Sequence, residues 1–352
     1  MEQNIHPPTL VSRVEDFDIP PESLDLLTAT AEQLRPYGVP PRPDPELQQE
    51  LYRIWLSFFV PRPTFVPAEI TLIPDRFRPV IAASVPLSSR TTRYETSRNW
   101  SGAYIEPNYD RVFVQVSGHW IVPTPSPPPG APLPKPEPEV YACSTWIGLD
   151  GQRRYTDSSL PQIGTWQAVT VAADGSRTIE TYAWFQWWAR DYAGTAPAQI
   201  SSVPVDPGDE VACMVKVWQP SVAVVYVRNL TTGHLAHFRV HAPTVTLGGG
   251  HPHEFTISGA TAEWIMERPT RLGSDEPYDL ADYGSAYLRN LLAVEADPTV
   301  PNWPWVVGTD QTLKGVRFIR MYDRLTDPRR TALISMPWRE SDTSIRVSYG
   351  GF

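Results

Sequence analysis

Proline narrows the folds open to this chain more than any other residue. It supplies 39 of 352 positions, about twice the ~5% of ordinary proteins. A proline has no N–H to give, and its ring collides with the preceding helical turn, so it is kept out of helix interiors and inner strands. A helical bundle is therefore excluded, and short strands joined by fixed loops are expected. Proline is densest in PTPSPPPGAPLPKPEPE (123–139), which reads as a mobile surface loop of polyproline II character.

The apolar pattern agrees. From Thr91 onward its period is two. Between Arg111 and Trp120, Val112, Val114 and Val116 alternate with Phe113 and Gln115. Val211–Trp218 and Val222–Arg228 are β-branched runs; the second leads into the hairpin turn NLTTGH (Asn229–His234) and then LAHFRV. Thr178–Trp188 is a long aromatic strand, and Val316–Met321, Thr331–Met336 and Thr343–Tyr349 supply late ones. Many short strands with Gly, Pro and Asn turns predict an all-β fold, an antiparallel two-sheet β-sandwich of the concanavalin A-like or jelly-roll type.

Residues 1–90 read differently. In PDPELQQELYRIWLSFF, the residues Leu47, Leu51, Trp55 and Phe58 recur at near-helical spacing, with Asp44-Pro45 as the expected N-cap and first position. TATAEQLRPYG is a second helical stretch, with Gly38 as its C-cap. Eight basic and twelve acidic residues give residues 1–90 a net charge of -4. We divide the chain into a Pro-rich, partly helical, propeptide-like segment (1–92) and a sandwich domain (93–352).

Charge and cysteine content remove several function classes. Lys+Arg 30 against Asp+Glu 39 leaves -9, with no basic stripe to meet nucleic-acid phosphates or an anionic membrane. No apolar run reaches the ~18 residues of a membrane span. The opening MEQNIHPPTLVSRVEDF lacks the basic and apolar regions of a secretory signal, so none is expected in this chain. Cys143 and Cys213 are the two cysteines; one bridge or two buried thiols are both open. A monomer without a cofactor is the expectation.

Most catalytic patterns fail. There is no G-x-S-x-G elbow and no G-x-x-x-x-G-K loop, and Gly248-Gly249-Gly250 lacks dinucleotide-site spacing. His253-Glu254 starts like H-E-x-x-H, but Ile257 breaks it; His251 and His253 on a solvated loop, rather than on a metal, is the expectation. The string Asp342-Thr343-Ser344 is single and lacks the glycine of an aspartic-peptidase loop. A nucleophilic Cys143 is the weaker reading against a buried one.

Three segments survive. They are Asn99-Trp100-Ser101-Gly102-Ala103-Tyr104; then Trp146-Ile147-Gly148-Leu149-Asp150-Gly151 with Leu160-Pro161-Gln162-Ile163-Gly164; then Ala262-Glu263-Trp264-Ile265-Met266-Glu267. In order and spacing they resemble the motifs of the glutamic peptidases, the eqolisin or scytalidoglutamic peptidase family, from about residue 94 to the C-terminus. The resemblance implies a two-sheet sandwich, polypeptide substrates and a catalytic pair that falls on Gln162 and Glu263. It also implies secretion, as for the family's fungal members, and places Trp100, Trp146 and Asp150 where they line or buttress the site. Asp150 as a turn-stabilising residue before Gly151 is the equal alternative.

The chemistry suits that pair. Peptide hydrolysis needs an activated water and a stabilised oxyanion. A carboxylate can take the water's proton and return it to the leaving nitrogen, while an amide orients the water and donates to the oxyanion. With an ordinary carboxyl pKa of about 4.3, action in acid is expected. On the aromatic strand, Glu180, Tyr182, Trp184, Gln186 and Trp188 share one face and suit an extended peptide, with Ile179, Ala183 and Phe185 opposite. The family's best-known members have Glu where this chain has Gln186. Glu267 shares parity with Glu263 but lies about 13 Å along the strand, a supporting or surface residue. The acidic 1–90 segment weakens the basic-propeptide switch the resemblance implies, so docking through Leu51, Trp55 and Phe58 or a permanent subdomain is expected. Two other readings stand beside the peptidase. One is a lectin-like carbohydrate-binding sandwich stacking sugars on exposed Trp and Tyr; the other is a glycosidase using Glu180 with Glu263.

Overall fold

The period-two pattern becomes a wall of long strands. The computed structural model describes residues 12–73, 94–132, 137–151, 159–189, 196–246, 252–271, 276–300, 308–324 and 331–350. The N-terminal segment holds β1 (Val14–Asp16), α1 (Ala31–Leu34), α2 (Gln49–Phe59), β2 (Thr64–Phe65) and β3 (Ile70–Leu72). Next come β4 (Tyr94–Ser97), β5 (Trp100–Ile105), β6 (Val112–Ile121), β7 (Glu139–Leu149), β8 (Ser159–Val171), β9 (Arg177–Ala189) and β10 (Ala198–Ile200). They are followed by β11 (Glu210–Gln219), β12 (Val222–Asn229), β13 (His234–His241), β14 (Thr244–Thr246), β15 (Pro252–Glu254) and β16 (Ala262–Glu267). The chain closes with β17 (Asp279–Leu280), β18 (Ser285–Ala296), β19 (Thr309–Gln311), β20 (Arg317–Arg324), β21 (Thr331–Ser341) and β22 (Ser344–Tyr349).

One layer runs β10-β9-β8-β7-β16-β5-β20, and the other β18-β6-β11-β12-β13; β21 and β22 carry the ladder from β20 round to β18. The long pairings are antiparallel. Between the layers lie Ile147, Ile163, Phe185 and Trp264 from one side and Val116, Val215, Val225 and Phe238 from the other. The rings of Phe185 and Phe238 meet edge-on across the gap at 5.0 Å. Two indoles there find acceptors: Trp120 Nε1 donates to Thr165 Oγ1 at 2.9 Å, and Trp264 Nε1 to the Ser117 carbonyl at 2.8 Å. Each such side chain, fully buried, contributes roughly 1.5–3 kcal/mol. Cys143 and Cys213 are both buried, unbridged thiols.

The N-terminal segment clasps this sandwich. β1 extends the second layer beyond β13, and β3 extends the first beyond β10. Leu51, Ile54, Trp55 and Phe58 form the buried stripe of α2, whose Phe58 meets His119 and Tyr226 on the second layer's outer face. The helix starts later than the Asp44-Pro45 signal suggests. Asp44 Oδ1 accepts the Glu46 and Leu47 amides and closes a separate turn, which leaves Leu47 outside the helix and 82% exposed. Thr30 and Gln33 form a capping box on α1, and Gly38, at φ 65, ends the turn after it as expected. In the Pro-rich stretch 123–139, residues 133–136 lie outside the described residues; Pro123 and Pro125 are buried, so this end of the stretch is anchored.

Candidate active site

Register, rather than any one strand, assembles the site. Residues directly opposed across an antiparallel ladder point to the same face. Gln186 pairs with Gln162, Gln162 with Gly148, Gly148 with Glu263, Glu263 with Tyr104, and Tyr104 with Arg317. This row crosses the outer face of the first layer. Gly148 stands between the amide and the carboxyl and has no side chain to put there. A Cβ on it would fall 2.6 Å from Leu160 Cδ1 and 3.2 Å from Gln162 Cβ. Two strand spacings of about 4.8 Å separate the backbones of Gln162 and Glu263, so both side chains reach toward the space above Gly148.

Both are fully buried. Gln162 Nε2 donates to Gln186 Oε1 at 2.9 Å, which fixes the amide with its carbonyl end free of protein donors. Glu263 Oε1 accepts the Gly151 amide at 3.0 Å, and its Oε2 has no hydrogen-bond partner in the protein. Burial pushes the Glu263 carboxyl up to about 8; the Thr261 hydroxyl nearby and the Gly151 amide pull it back, and the charge of Asp150 adds to the rise.

Asp150 sits at φ 72 beyond the end of β7, and its carboxylate is taken up by the Ser258, Gly259 and Ala260 amides at 2.5, 3.1 and 2.7 Å. These bonds run to the segment that leads into β16, and the charge of Asp150 also bears on Glu263. Asp150 clamps the chain entering β16 and so sets the height of Glu263.

The expected aromatic wall is present as a packed floor. Trp100, Trp146, Tyr182 and Trp184 are buried, Gln186 is buried beside them, and Trp188 is half-buried at the edge. Trp184 Nε1 donates to Ser144 Oγ at 3.0 Å, and Trp166 stacks on Tyr182 at 5.9 Å. Ile73 of the N-terminal segment packs into the same cluster. Buried rings cannot stack on a sugar, so the lectin reading is not favoured. Glu180 lies six residues along β9 from Gln186, about 20 Å at ~3.3 Å per residue, so the glycosidase pair does not form. Beyond Glu263, the Tyr104 hydroxyl donates to Glu95 Oε1 at 2.5 Å, and Arg317 Nη1 lies 3.8 Å from the same oxygen.

Glu267 is fully buried rather than on the surface, and accepts Trp146 Nε1 at 2.7 Å and Asn99 Nδ2 at 3.4 Å. Burial pushes its carboxyl up to about 8, with the indole and amide donors opposing. Sequence reasoning missed the parts played by Gly148 and Gly151, although both stand in the W-I-G-L-D-G string. His251 lies outside the described residues, and no three His, Cys, Asp or Glu gather as a metal site among those described.

The chain belongs to the peptidase A4 family, whose model matches residues 98–303. It is thus a hydrolase of peptide bonds, a glutamic endopeptidase acting on polypeptides. Among solved structures it is similar to scytalido-glutamic peptidase with a peptide-based transition state analog, at 18% identity and TM-score 0.48, covering 72% of this chain and 98% of that one. It is also similar to SCP-B, an eqolisin in complex with the tripeptide Ala-Ile-His (17%, TM-score 0.44, 72% and 98% covered), and to aspergilloglutamic peptidase from Aspergillus niger (22%, TM-score 0.40, 59% and 99% covered). Among curated proteins, none matches.

Proposed function

We propose that Gln162 and Glu263 carry the hydrolysis. The observation behind this is a matched pair of unpartnered acceptors, Gln162 Oε1 and Glu263 Oε2, both buried and in register across Gly148. A buried acceptor left alone costs about 1–3 kcal/mol. A water has two protons, and one such water satisfies both acceptors at once. Glu263 as carboxylate takes a proton from that water as its oxygen attacks the scissile carbonyl carbon. Gln162 orients the water through Oε1, and its NH2 group supports the oxyanion. Glu263 then returns the proton to the leaving nitrogen. A carboxyl raised by burial is a stronger base once ionised and holds the proton until the amine needs it. Donation from the bound water favours the charged form.

Among the described residues, Glu95 and Arg317 at the end of the row, and Trp188 at the other edge, are placed to contact substrate side chains; the buried indoles shape the floor beneath. Residues 1–92 serve as a regulatory segment on this reading, supported by Ile73 seated on that floor. Full activity of the intact chain would count against inhibition by it.

The test is digestion of an unfolded protein from acid to neutral pH by the intact chain, Glu263→Gln and Gln162→Ala. Each substitution should lower kcat by at least about 10²-fold, the scale of losing a positioned proton-transfer group, while the fold persists by circular dichroism. Retention of activity by Glu263→Gln would overturn the assignment.

A further inference from the structure

A carboxyl as deeply buried as Glu267 needs a reason, because an apolar side chain of like volume costs less at such a site. Its contacts supply one. Glu267 Oε2 accepts Trp146 Nε1 at 2.7 Å. The Trp146 ring meets the Trp100 ring edge-on, with centroids 5.0 Å apart and planes at 76°. The tip of the Trp100 ring in turn closes on Gly151: a Cβ there would fall 3.0 Å from Trp100 Cη2 and 3.4 Å from Cζ3. Gly151 donates its amide to Glu263 Oε1 at 3.0 Å. Glu267 and Glu263 are thus joined by a contiguous path through two indoles and one glycine.

We infer that Glu267 is a positioning residue for the reaction, holding Trp146 and Trp100 so that the Gly151 amide stays on Glu263. This rests on Glu263 being the catalytic carboxyl. Trp146 loses its acceptor if Glu267 becomes apolar, and a buried indole N–H without an acceptor seeks another arrangement. Trp100 then has no fixed edge to lean on, and Gly151 is released from its place under the ring. Losing the amide leaves Glu263 oriented from one side fewer and removes a donor that favours its charged form. A glutamine at 267 keeps an acceptor for Trp146, so the path survives the loss of charge. Trp100→Phe cuts the path further along: it shortens the ring tip that touches Gly151 and removes an indole N–H that favours the Glu267 carboxylate, while leaving the Glu267–Trp146 bond in place.

The experiment measures kcat, KM and the pH profile of kcat/KM on a denatured protein substrate. It compares the intact chain with Glu267→Leu, Glu267→Gln, Trp100→Phe, the double variant Glu267→Leu/Trp100→Phe, and Glu263→Gln. Glu267→Leu should lower kcat about 10-fold or more with KM within about threefold, the pattern of lost transition-state positioning, and move the carboxyl limb of the profile to higher pH. Glu267→Gln should restore kcat to within about threefold of the intact chain. Trp100→Phe should share the defect, and the double variant should be no worse than either single one, as for residues acting along one path. Unchanged kcat and an unmoved limb in folded Glu267→Leu, or defects that multiply in the double variant, would overturn the inference. If Glu267→Leu does not fold, Trp100→Phe decides it alone, with an unmoved limb as the overturning result. Should Glu263→Gln remain active, the assignment of Glu263 itself falls. A silent Glu263→Gln beside normal Glu267→Leu and Trp100→Phe would reject the positioning role only.

Discussion

The two outer faces of the sandwich bury ionisable groups of opposite kind. Under the site face lie Glu263 and Glu267, both pushed up to about 8 by burial. Under α2 and the turn before it, on the other face, lie His119 and His237, both pushed down to about 4 by burial. His119 receives the Asn290 Nδ2–H on Nδ1 at 3.0 Å and faces Ser57 Oγ with Nε2 at 3.1 Å, the Ser57 hydroxyl itself donating to the Ile54 carbonyl. That network fits a neutral imidazole protonated on Nε2, with Arg53 and Arg228 nearby to repel a second proton. His237 donates Nε2–H to the Tyr37 carbonyl at 2.6 Å and stacks between Phe17 and Tyr226; the Tyr37 carbonyl and Asp16 oppose the fall in its pKa. Burial favours the protonated form of these two acids on one face and the neutral form of these two imidazoles on the other. For these four groups, stability is greatest where the two carboxyls are protonated and the two imidazoles neutral.

The largest effect expected on this contrast comes from Asp150→Ala. Three backbone amides lose a charged acceptor at once, and the entry to β16 loses its clamp. At about 1–3 kcal/mol per orphaned amide, unfolding in urea should show a loss of at least ~3 kcal/mol. A loss under about 1 kcal/mol would mean that the site face is not held from this turn.

Next in size is the acid limb of stability. A histidine whose folded pKa lies below its unfolded 6.5 contributes stability that is complete above 6.5 and is lost as pH falls through about 4. A glutamic acid raised from 4.5 contributes stability that is complete below 4.5 and is lost as pH rises through about 8. Stability should therefore peak between these limits and fall on both sides. The acid side amounts to up to about 3 kcal/mol per imidazole at ~1.4 kcal/mol per pH unit. His119→Gln with His237→Gln should flatten that side and leave the alkaline side alone. Equal acid slopes in the intact chain and the double variant would break the comparison.

How much of this was legible differs between the two faces. The strands of the site face were readable because their alternation is local, and Gln162 and Glu263 because they sit in short motifs. Their meeting across Gly148 was not, since it depends on the register of β8 on β7 and of β7 on β16, segments that local alternation cannot align. The burial of Glu267 was hidden for a related reason: parity gives the face of a carboxyl, and only the neighbouring strands show that Trp146 and Trp100 close over it. The other face was less legible. His119, Lys216, Arg228 and His237 lie on the strand face opposite the core, where α2 and its preceding turn cover them, and alternation within their own strands does not show that cover. The amphipathic stripe of α2 was visible, but not which surface would receive it. The helix start was misplaced because an Asp-Pro pair signals a turn as readily as a cap.

The smallest effect separates burial from function on that covered face. Lys216 is buried beneath α2, lining a small cavity with Pro40, Trp55, Phe58 and Gln115, and its ammonium reaches Gln115 Oε1 at 3.4 Å. Burial pushes its pKa down to about 8. The sign follows: a lysine lowered from 10.5 contributes stability that is complete above 10.5 and lost as pH falls through about 8, so at pH 7 the charged amine is a cost. Lys216→Met keeps the unbranched stem in an apolar cavity and removes the charge. It should stabilise the protein at pH 7 by about 1–3 kcal/mol, with the gain shrinking toward pH 10. Peptidase activity should be unchanged, because Lys216 lies on the layer opposite the Gln162–Glu263 row. A destabilised Lys216→Met would show that the ammonium is held by more than its burial allows, and that the clasp of residues 12–73 on the second layer depends on a charge.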